Sequence, residues 1–247
     1  MNDPFPFAFP AAAAAPVRLP EPTGDVRLWW CSTNADDDAL EALRSWLSPE
    51  ERQRSARFGS AALARRYIVG RASLRYVLGG LLGERPADVR IERGRRGRPR
   101  LRGGEIDFNV SNTRSVALVG TTASASVRIG VDVEHGDRAV NHAGLARKFC
   151  TPAEAAALAG LDDDARRLRF LRLWTCKEAM SKATGDALSA PLRRLGVSTA
   201  PRLCLAEGPP PYVPADWTLH EADVPAGYIA TVALWRGAAA GADGLTR

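Results

Sequence analysis

One helix-start signal is written twice in this chain, and it constrains the fold more than any other feature. Ser48-Pro49-Glu50-Glu51 and Thr151-Pro152-Ala153-Glu154 each place a hydroxyl residue at a helix N-cap, proline at the first helical position and glutamate three residues after the cap. Behind the first, a helical stretch is predicted as far as Leu78, broken near Phe58-Gly59-Ser60 and stopped by Gly79-Gly80. Behind the second, a comparable stretch ends at Gly185. Strand patterns flank both. Val26 to Cys31 precedes the first signal. Val89 to Glu92 is a short strand in the glycine- and arginine-rich loop Pro86 to Gly104. Ile106, Phe108 and Val110 alternate with Asp107, Asn109 and Ser111, and a turn over Ser111 to Arg114 leads to a strand over Ser115 to Val119. Val127, Ile129, Val131 and Val133 alternate with Arg128, Gly130, Asp132 and Glu134, and Gly227 to Trp235 forms a late strand. Strand, capped helix pair, later strands, written twice, points to a duplicated α+β unit. The expectation is a pseudo-dimer of two similar subdomains, each a small antiparallel sheet packed with helices. Gly70 to Leu74 falls where Cys176 to Met180 falls in the second copy. The expected boundaries are a disordered tail over 1–24, an N-terminal subdomain over 25–122, a C-terminal subdomain over 123–236 and a flexible tail over 237–247. Two such units leave a ligand cleft between them.

The 247 residues are enough to bury a core, and 45% hydrophobic with 25% charged residues is ordinary for a globular chain. The formal net charge of +6 is concentrated in two arginine-rich stretches, Arg52 to Arg75 and Arg90 to Arg102. Clustered arginine suits an anionic partner, a phosphate-bearing ligand, an acidic protein or a nucleic acid; a solvated basic face accounts for it equally well. The spacing of Cys31, Cys150, Cys176 and Cys204 matches neither a zinc nor a redox motif, which suits a reducing compartment. The first twenty residues start with Asp3 rather than a basic cluster and carry Pro4, Pro6, Pro10 and Pro16, so they read as a tail rather than a signal peptide. No apolar run approaches the roughly 20 residues that span a bilayer.

Two segments carry chemistry. On a strand, Asp132 and Glu134 point the same way, aiming two carboxylates at one spot, with Gly130 keeping that face open. Like charges held this close suit a hard cation such as Mg²⁺; a solvated strand face is the plainer account. On a helix, Leu171, Trp174, Glu178 and Lys182 share one stripe, which suits a third carboxylate and a phosphate-reaching lysine, or a plain surface Glu–Lys pair. Lys177 falls off that stripe and is expected only to pair with a neighbour.

Taken together, Gly130, Asp132 and Glu134, then Trp174, Lys177, Glu178 and Lys182, resemble in order and spacing the two signature motifs of the phosphopantetheinyl transferase superfamily. Ser48 to Glu51 with Arg54, Phe58, Arg66, Gly70 and Arg75, then Gly97-Arg98-Pro99 and Phe108-Asn109-Val110-Ser111-Asn112, resemble its larger, two-lobed members related to surfactin synthetase activators. The resemblance covers roughly Val26 to Trp235. It departs where Asn112 replaces the family's phosphate-binding histidine and where Glu51 aligns with a family lysine. The resemblance implies an enzyme that transfers 4'-phosphopantetheine from coenzyme A to a serine of an acyl or peptidyl carrier protein. It implies Mg²⁺ held by Asp132, Glu134 and Glu178, and nucleotide phosphates held by Arg54, Arg66, Arg98, Ser111 and Asn112. The resemblance further implies that Lys182 neutralises the pyrophosphate and that Glu178, Glu134 or a metal-bound water accepts the serine proton. A cytoplasmic monomer, without nucleic-acid or membrane partners, is expected. A basic nucleic-acid-binding protein and a non-catalytic carrier-binding relative are the rival readings.

Overall fold

The computed structural model describes residues 5–94, 96–138 and 141–237. The chain opens with strands β1 (Val17–Leu19) and β2 (Val26–Ser32), then helices α1 (Asp37–Ser45), α2 (Pro49–Ala56) and α3 (Ala61–Leu82). A hairpin β3 (Ile91–Arg93) and β4 (Pro99–Leu101) and two long strands β5 (Asp107–Thr113) and β6 (Val116–Thr122) follow. The second half repeats that order: β7 (Arg128–His135), α4 (His142–Phe149), α5 (Pro152–Ala159), α6 (Asp163–Thr184), hairpin β8 (Gly196–Ser198) and β9 (Cys204–Glu207), then β10 (Trp217–Glu221) and β11 (Tyr228–Trp235). Each sheet has its last strand in the middle: β2-β6-β5 in one half with β1 added at its edge, β7-β11-β10 in the other, every pairing antiparallel.

The repeat reaches individual side chains. Both capping boxes form, with Ser48 and Thr151 as caps and Glu51 and Glu154 bonding back to them. Each glutamate is also buried against a cation from the long helix. Arg75 donates to Glu51 (2.7 Å) and to the Pro86 and Val89 carbonyls; Lys177 donates to Glu154 (2.6 Å) and to the Phe149 and Leu192 carbonyls. Both helices run 22 residues and end on a left-handed glycine, Gly83 and Gly185. The counterpart of Lys177 is therefore Arg75, which shifts the sequence pairing expected above, where Arg71 had stood opposite it.

Gly79-Gly80 does not stop α3. A Cβ on Gly79 would press on the Glu84 carbonyl, and one on Gly80 would collide with the Phe5 ring. These glycines are places of close approach, and the helix continues to Leu82. That contact also corrects the expected N-terminal tail. Phe5 packs edge-on to Tyr76 (4.9 Å between centroids), Phe9 packs on Trp46 and Tyr76, and β1 pairs with β2. Proline-punctuated chain has no periodicity to announce this; burial of its aromatics against α3 orders it. The expected tail residues 1–4 and 238–247 lie outside the described residues. No helix among the described residues is long and apolar enough to cross a membrane.

The two sheets meet along β5 and β7. Val26, Leu28 and Leu118 from the first half share a core with Ile129, Val131, Val133, Val232 and Leu234 from the second. Among the described residues the outer edge of β7 has no backbone partner strand. Instead the polar face of β5 satisfies it: Asp107 Oδ2, Asn109 Oδ1 and Ser111 Oγ accept from the Ile129, Val131 and Val133 N–H groups at 2.8, 3.1 and 3.3 Å. The alternation read as a strand with one apolar face thus joins the halves through its polar face.

Candidate functional site

Gly130 places the site. It sits on the face of β7 that carries Asp132 and Glu134, and a Cβ there would collide with the Ala179 carbonyl and crowd the Ala183 N–H. Rather than keeping a carboxylate face open, Gly130 lets the backbone of α6 lie directly on the strand. Glu178 and Lys182, one turn apart and each directly preceding a contact residue, thereby come down beside Asp132 and Glu134.

Asp132 is buried, at 5% exposure, and its two oxygens differ. Oδ1 accepts from Lys182 Nζ (2.7 Å) and Ser111 Oγ (2.7 Å). Oδ2 has no partner among the described residues. Lys182 uses all three of its donors, on Asp132, Ser111 Oγ (2.8 Å) and the Val131 carbonyl (3.2 Å). Glu134 accepts from Arg138 and, at 3.3 Å, from Thr113 Oγ1. Burial and then the Asp132 charge raise the Glu134 carboxyl above its ordinary range, against the pull of Arg138. Burial, then Asp132, also raise Glu178, with Lys182 pulling the other way and Glu134 adding to the rise. Two carboxylates raised in part by a third beside them are stabilised by positive charge placed among them.

Two adjoining clefts open beside this cluster. One, of about 440 Å³, is bounded by Asn112, Thr113, Arg114, Glu134, His135 and Arg138. It shares Asn112, Thr113 and Arg114 with a second, of about 690 Å³, between α2, α3 and the β3–β4 hairpin. The larger cleft has an apolar floor that includes Leu74, Val110 and Val116, and arginines at its rim: Arg54, Arg66, Arg71, Arg93 and Arg114. Gly70 makes room for Asn112, whose Oδ1 would stand 3.3 Å from a Cβ at that position.

The residues expected from sequence therefore divide. Asp132, Glu134, Glu178 and Lys182 come together at the β7–α6 contact. Arg54, Arg66 and Asn112 line the larger cleft, with Arg54 also over the Tyr67 ring at 5.5 Å. Ser111 is a buried hub between Asp132, Lys182 and β7 rather than a cleft group. Arg98 is turned from the cleft that its neighbours Gly97 and Pro99 line, and is engaged with Asp107. Lys177 is buried on Glu154, so its pairing is structural. Arg71, Arg93, Arg114, Arg138 and Thr113 were not singled out as site residues from the sequence. Four of these are arginines among many, and only the fold separates cleft-lining from solvated ones. Glu51, which replaces a basic residue of the family pattern, is turned inward to Arg75 and Arg71, and Arg71 brings positive charge to the same wall.

The donor set is suited to a hard divalent cation: three carboxylates, one with an oxygen that is buried and unpartnered. Among the described residues no three His, Cys, Asp or Glu side chains are already gathered round one point, and Lys182 and Arg138 hold the charge balance instead.

Comparison with known proteins reaches both halves. A family model described as "4'-phosphopantetheinyl transferase superfamily" matches residues 128–233, and one described as "4'-phosphopantetheinyl transferase, N-terminal" matches residues 30–124. The chain is 33% identical to the 4'-phosphopantetheinyl transferase HetI of a Nostoc species over 193 residues, covering 74% of this chain and 80% of the relative. It is 28% identical to the 4'-phosphopantetheinyl transferase Sfp of Bacillus subtilis, covering 64% and 68%. It is 29% identical to the L-aminoadipate-semialdehyde dehydrogenase-phosphopantetheinyl transferase of Xenopus laevis, covering 70% and 59%.

Proposed function

The chain belongs to the 4'-phosphopantetheinyl transferase superfamily, and on that premise we propose that it moves the 4'-phosphopantetheine arm of coenzyme A onto a serine of an acyl or peptidyl carrier protein. The observation that carries this reading is the cluster at the β7–α6 contact: Asp132 with one oxygen on Lys182 and one unpartnered among the described residues, beside Glu178 and Glu134, the last lining a small cleft that adjoins the arginine-rimmed one. As part of the same proposal, residues 25–122 and 123–236 are the two subdomains, and the protein works in the cytoplasm as a monomer.

The carrier's serine oxygen attacks the phosphorus that bears pantetheine. The bond from that phosphorus to the bridging oxygen breaks, and adenosine 3',5'-bisphosphate leaves with the electron pair. Arg54, Arg66 and Asn112 hold the nucleotide end, helped by the rim arginines Arg71, Arg93 and Arg114. Asp132, Glu134 and Glu178 are the residues that would hold Mg²⁺. When bound, the ion draws charge from the pyrophosphate oxygens that become negative as the anhydride breaks. Lys182, held on Asp132, Ser111 and the Val131 carbonyl, would lend its positive charge to that pyrophosphate across space. Glu134 or Glu178 would accept the serine proton.

The test is mass spectrometry of a panel of apo carrier proteins incubated with coenzyme A, Mg²⁺ and this protein. Gain of one phosphopantetheine on the active serine of at least one carrier supports the reading. No gain on fatty-acid, polyketide or peptide carriers alike contradicts it.

A further inference from the structure

Arg98 was expected to bind phosphate, yet its guanidinium is turned into the protein with all three nitrogens engaged. NH1 and NH2 grip both oxygens of Asp107 (2.6 and 2.7 Å), NH2 also reaches the Phe108 and Ile129 carbonyls (3.1 and 2.7 Å), and Nε donates to the Lys182 carbonyl (3.0 Å). The Arg98 side chain is 9% exposed. Asp107 Oδ2 in turn accepts from the Ile129 N–H at 2.8 Å. The pair thus clamps both backbone groups of Ile129 on β7 and caps a carbonyl in the last turn of α6, one of the four that have no partner within a helix. Ile129 directly precedes Gly130, the contact on which α6 lies. Lys182 is the residue whose ammonium must meet Asp132. Both ends of the 2.7 Å Lys182–Asp132 contact are therefore fixed from one guanidinium in the other half of the molecule.

We propose that Arg98 and Asp107 are positioning residues: a staple between the halves that sets the α6–β7 register and so holds the Lys182 ammonium on Asp132. Gly185, the left-handed cap of α6 (φ 79°), lies in ordinary packing distance of Arg98, so the staple sits directly against the helix end. A lysine at 98 keeps the charge but cannot grip both Asp107 oxygens and three carbonyls at once.

The experiment compares Arg98→Lys, Arg98→Gln and Asp107→Asn with the unaltered protein. It has a kinetic arm, which rests on the transferase reading, and an arm that does not. In the kinetic arm, all three variants should lower kcat about tenfold or more while KM for coenzyme A stays within about threefold, since a misplaced group costs rate rather than ground-state binding. A phosphate ligand would behave otherwise: Arg98→Gln would raise KM, Arg98→Lys would preserve activity, and Asp107→Asn would free the guanidinium and tighten coenzyme A. In the second arm, acetic anhydride labelling of the ligand-free protein is read by mass spectrometry at Lys182, with exposed Lys148 as internal standard. Labelling of Lys182 should quicken several-fold in each variant. Activity per folded molecule is taken at low temperature against near-ultraviolet circular dichroism, so that lost stability is not counted as lost rate. The phosphate-ligand pattern, or melting temperatures that fall while kcat per folded molecule and Lys182 labelling stay unchanged, overturns the proposal. If the unaltered protein transfers nothing, the transferase reading fails and the labelling arm still decides the staple.

Discussion

Glu51 and Lys177 both stand at positions of the family pattern and both turn inward to buried ion pairs, as spacing had indicated for Lys177 alone. Lys177 stands inside a signature motif beside Glu178, yet it is the cation of a buried pair. Glu51 stands where the family pattern has a lysine, yet its pocket supplies Arg71 and Arg75. Spacing put Lys177 off the site's stripe, but residue type could not show that Glu51 turns inward once its helix is docked. The pairs predict measurable stabilities. Lys177→Met leaves the Glu154 carboxylate buried without its cation and should cost about 3–5 kcal/mol in urea unfolding at neutral pH. For Glu51, burial alone would raise the carboxyl, but Arg71, the Ser48 N–H and Arg75 together hold it below its ordinary range. Its contribution is therefore full above the ordinary carboxylate range and is lost as pH falls through the lowered value. Glu51→Gln should be clearly less stable than the parent at pH 7, and the gap should close in acid. A gap that stays constant down to pH 3 would show that Glu51 acts by packing rather than charge.

At the scale of elements, the strands and the long helices were legible because each has a period: two residues for β5 and β7, three to four for α6. The capping boxes fixed where α2 and α5 begin. Short α1 and α4 were not read, although Asp36 caps the first through the Ala39 N–H and Asn141 the second through the Gly144 N–H. The N-terminal segment was misread because its order comes from a distant surface. Phe5 and Phe9 have no partner nearby in sequence; Gly80, Tyr76 and Trp46 make their seat. In the repeat, Gly80 stands where α6 has Lys182 and Tyr76 where it has Glu178. One copy thus keeps a polar site while the other fills the same helix face with aromatics. Replacing both Phe5 and Phe9 by alanine should lower stability by several kcal/mol, on the scale of about 3–5 kcal/mol for one core phenylalanine. Unchanged urea unfolding of the double variant would show that the segment does not contribute to the folded core.

For the whole molecule, duplication explains why a site lies where it does. Two sheets meet edge to edge through side chains, so the seam carries polar groups that an ordinary strand pair would spend on its ladder. Asp107 and Ser111 serve that seam and at the same time reach Arg98, Lys182 and Asp132. The carboxylate set was legible in the sequence because it lies on two regular elements. The seam was not, because it depends on how two elements with no shared period come to face each other. The central claim is that this seam houses a cation-assisted transfer centred on Asp132. The most direct measurement is formation of holo-carrier, followed by intact-protein mass spectrometry, for the parent and for Asp132→Asn, each with Mg²⁺ and with excess EDTA. The parent should convert apo carrier fully with Mg²⁺, stop in EDTA and recover when Mg²⁺ is restored. Asp132→Asn should be slower by about 10³-fold, the scale for removing one preorganised electrostatic group. Full conversion in EDTA, or by Asp132→Asn at the parent's rate, would contradict the account.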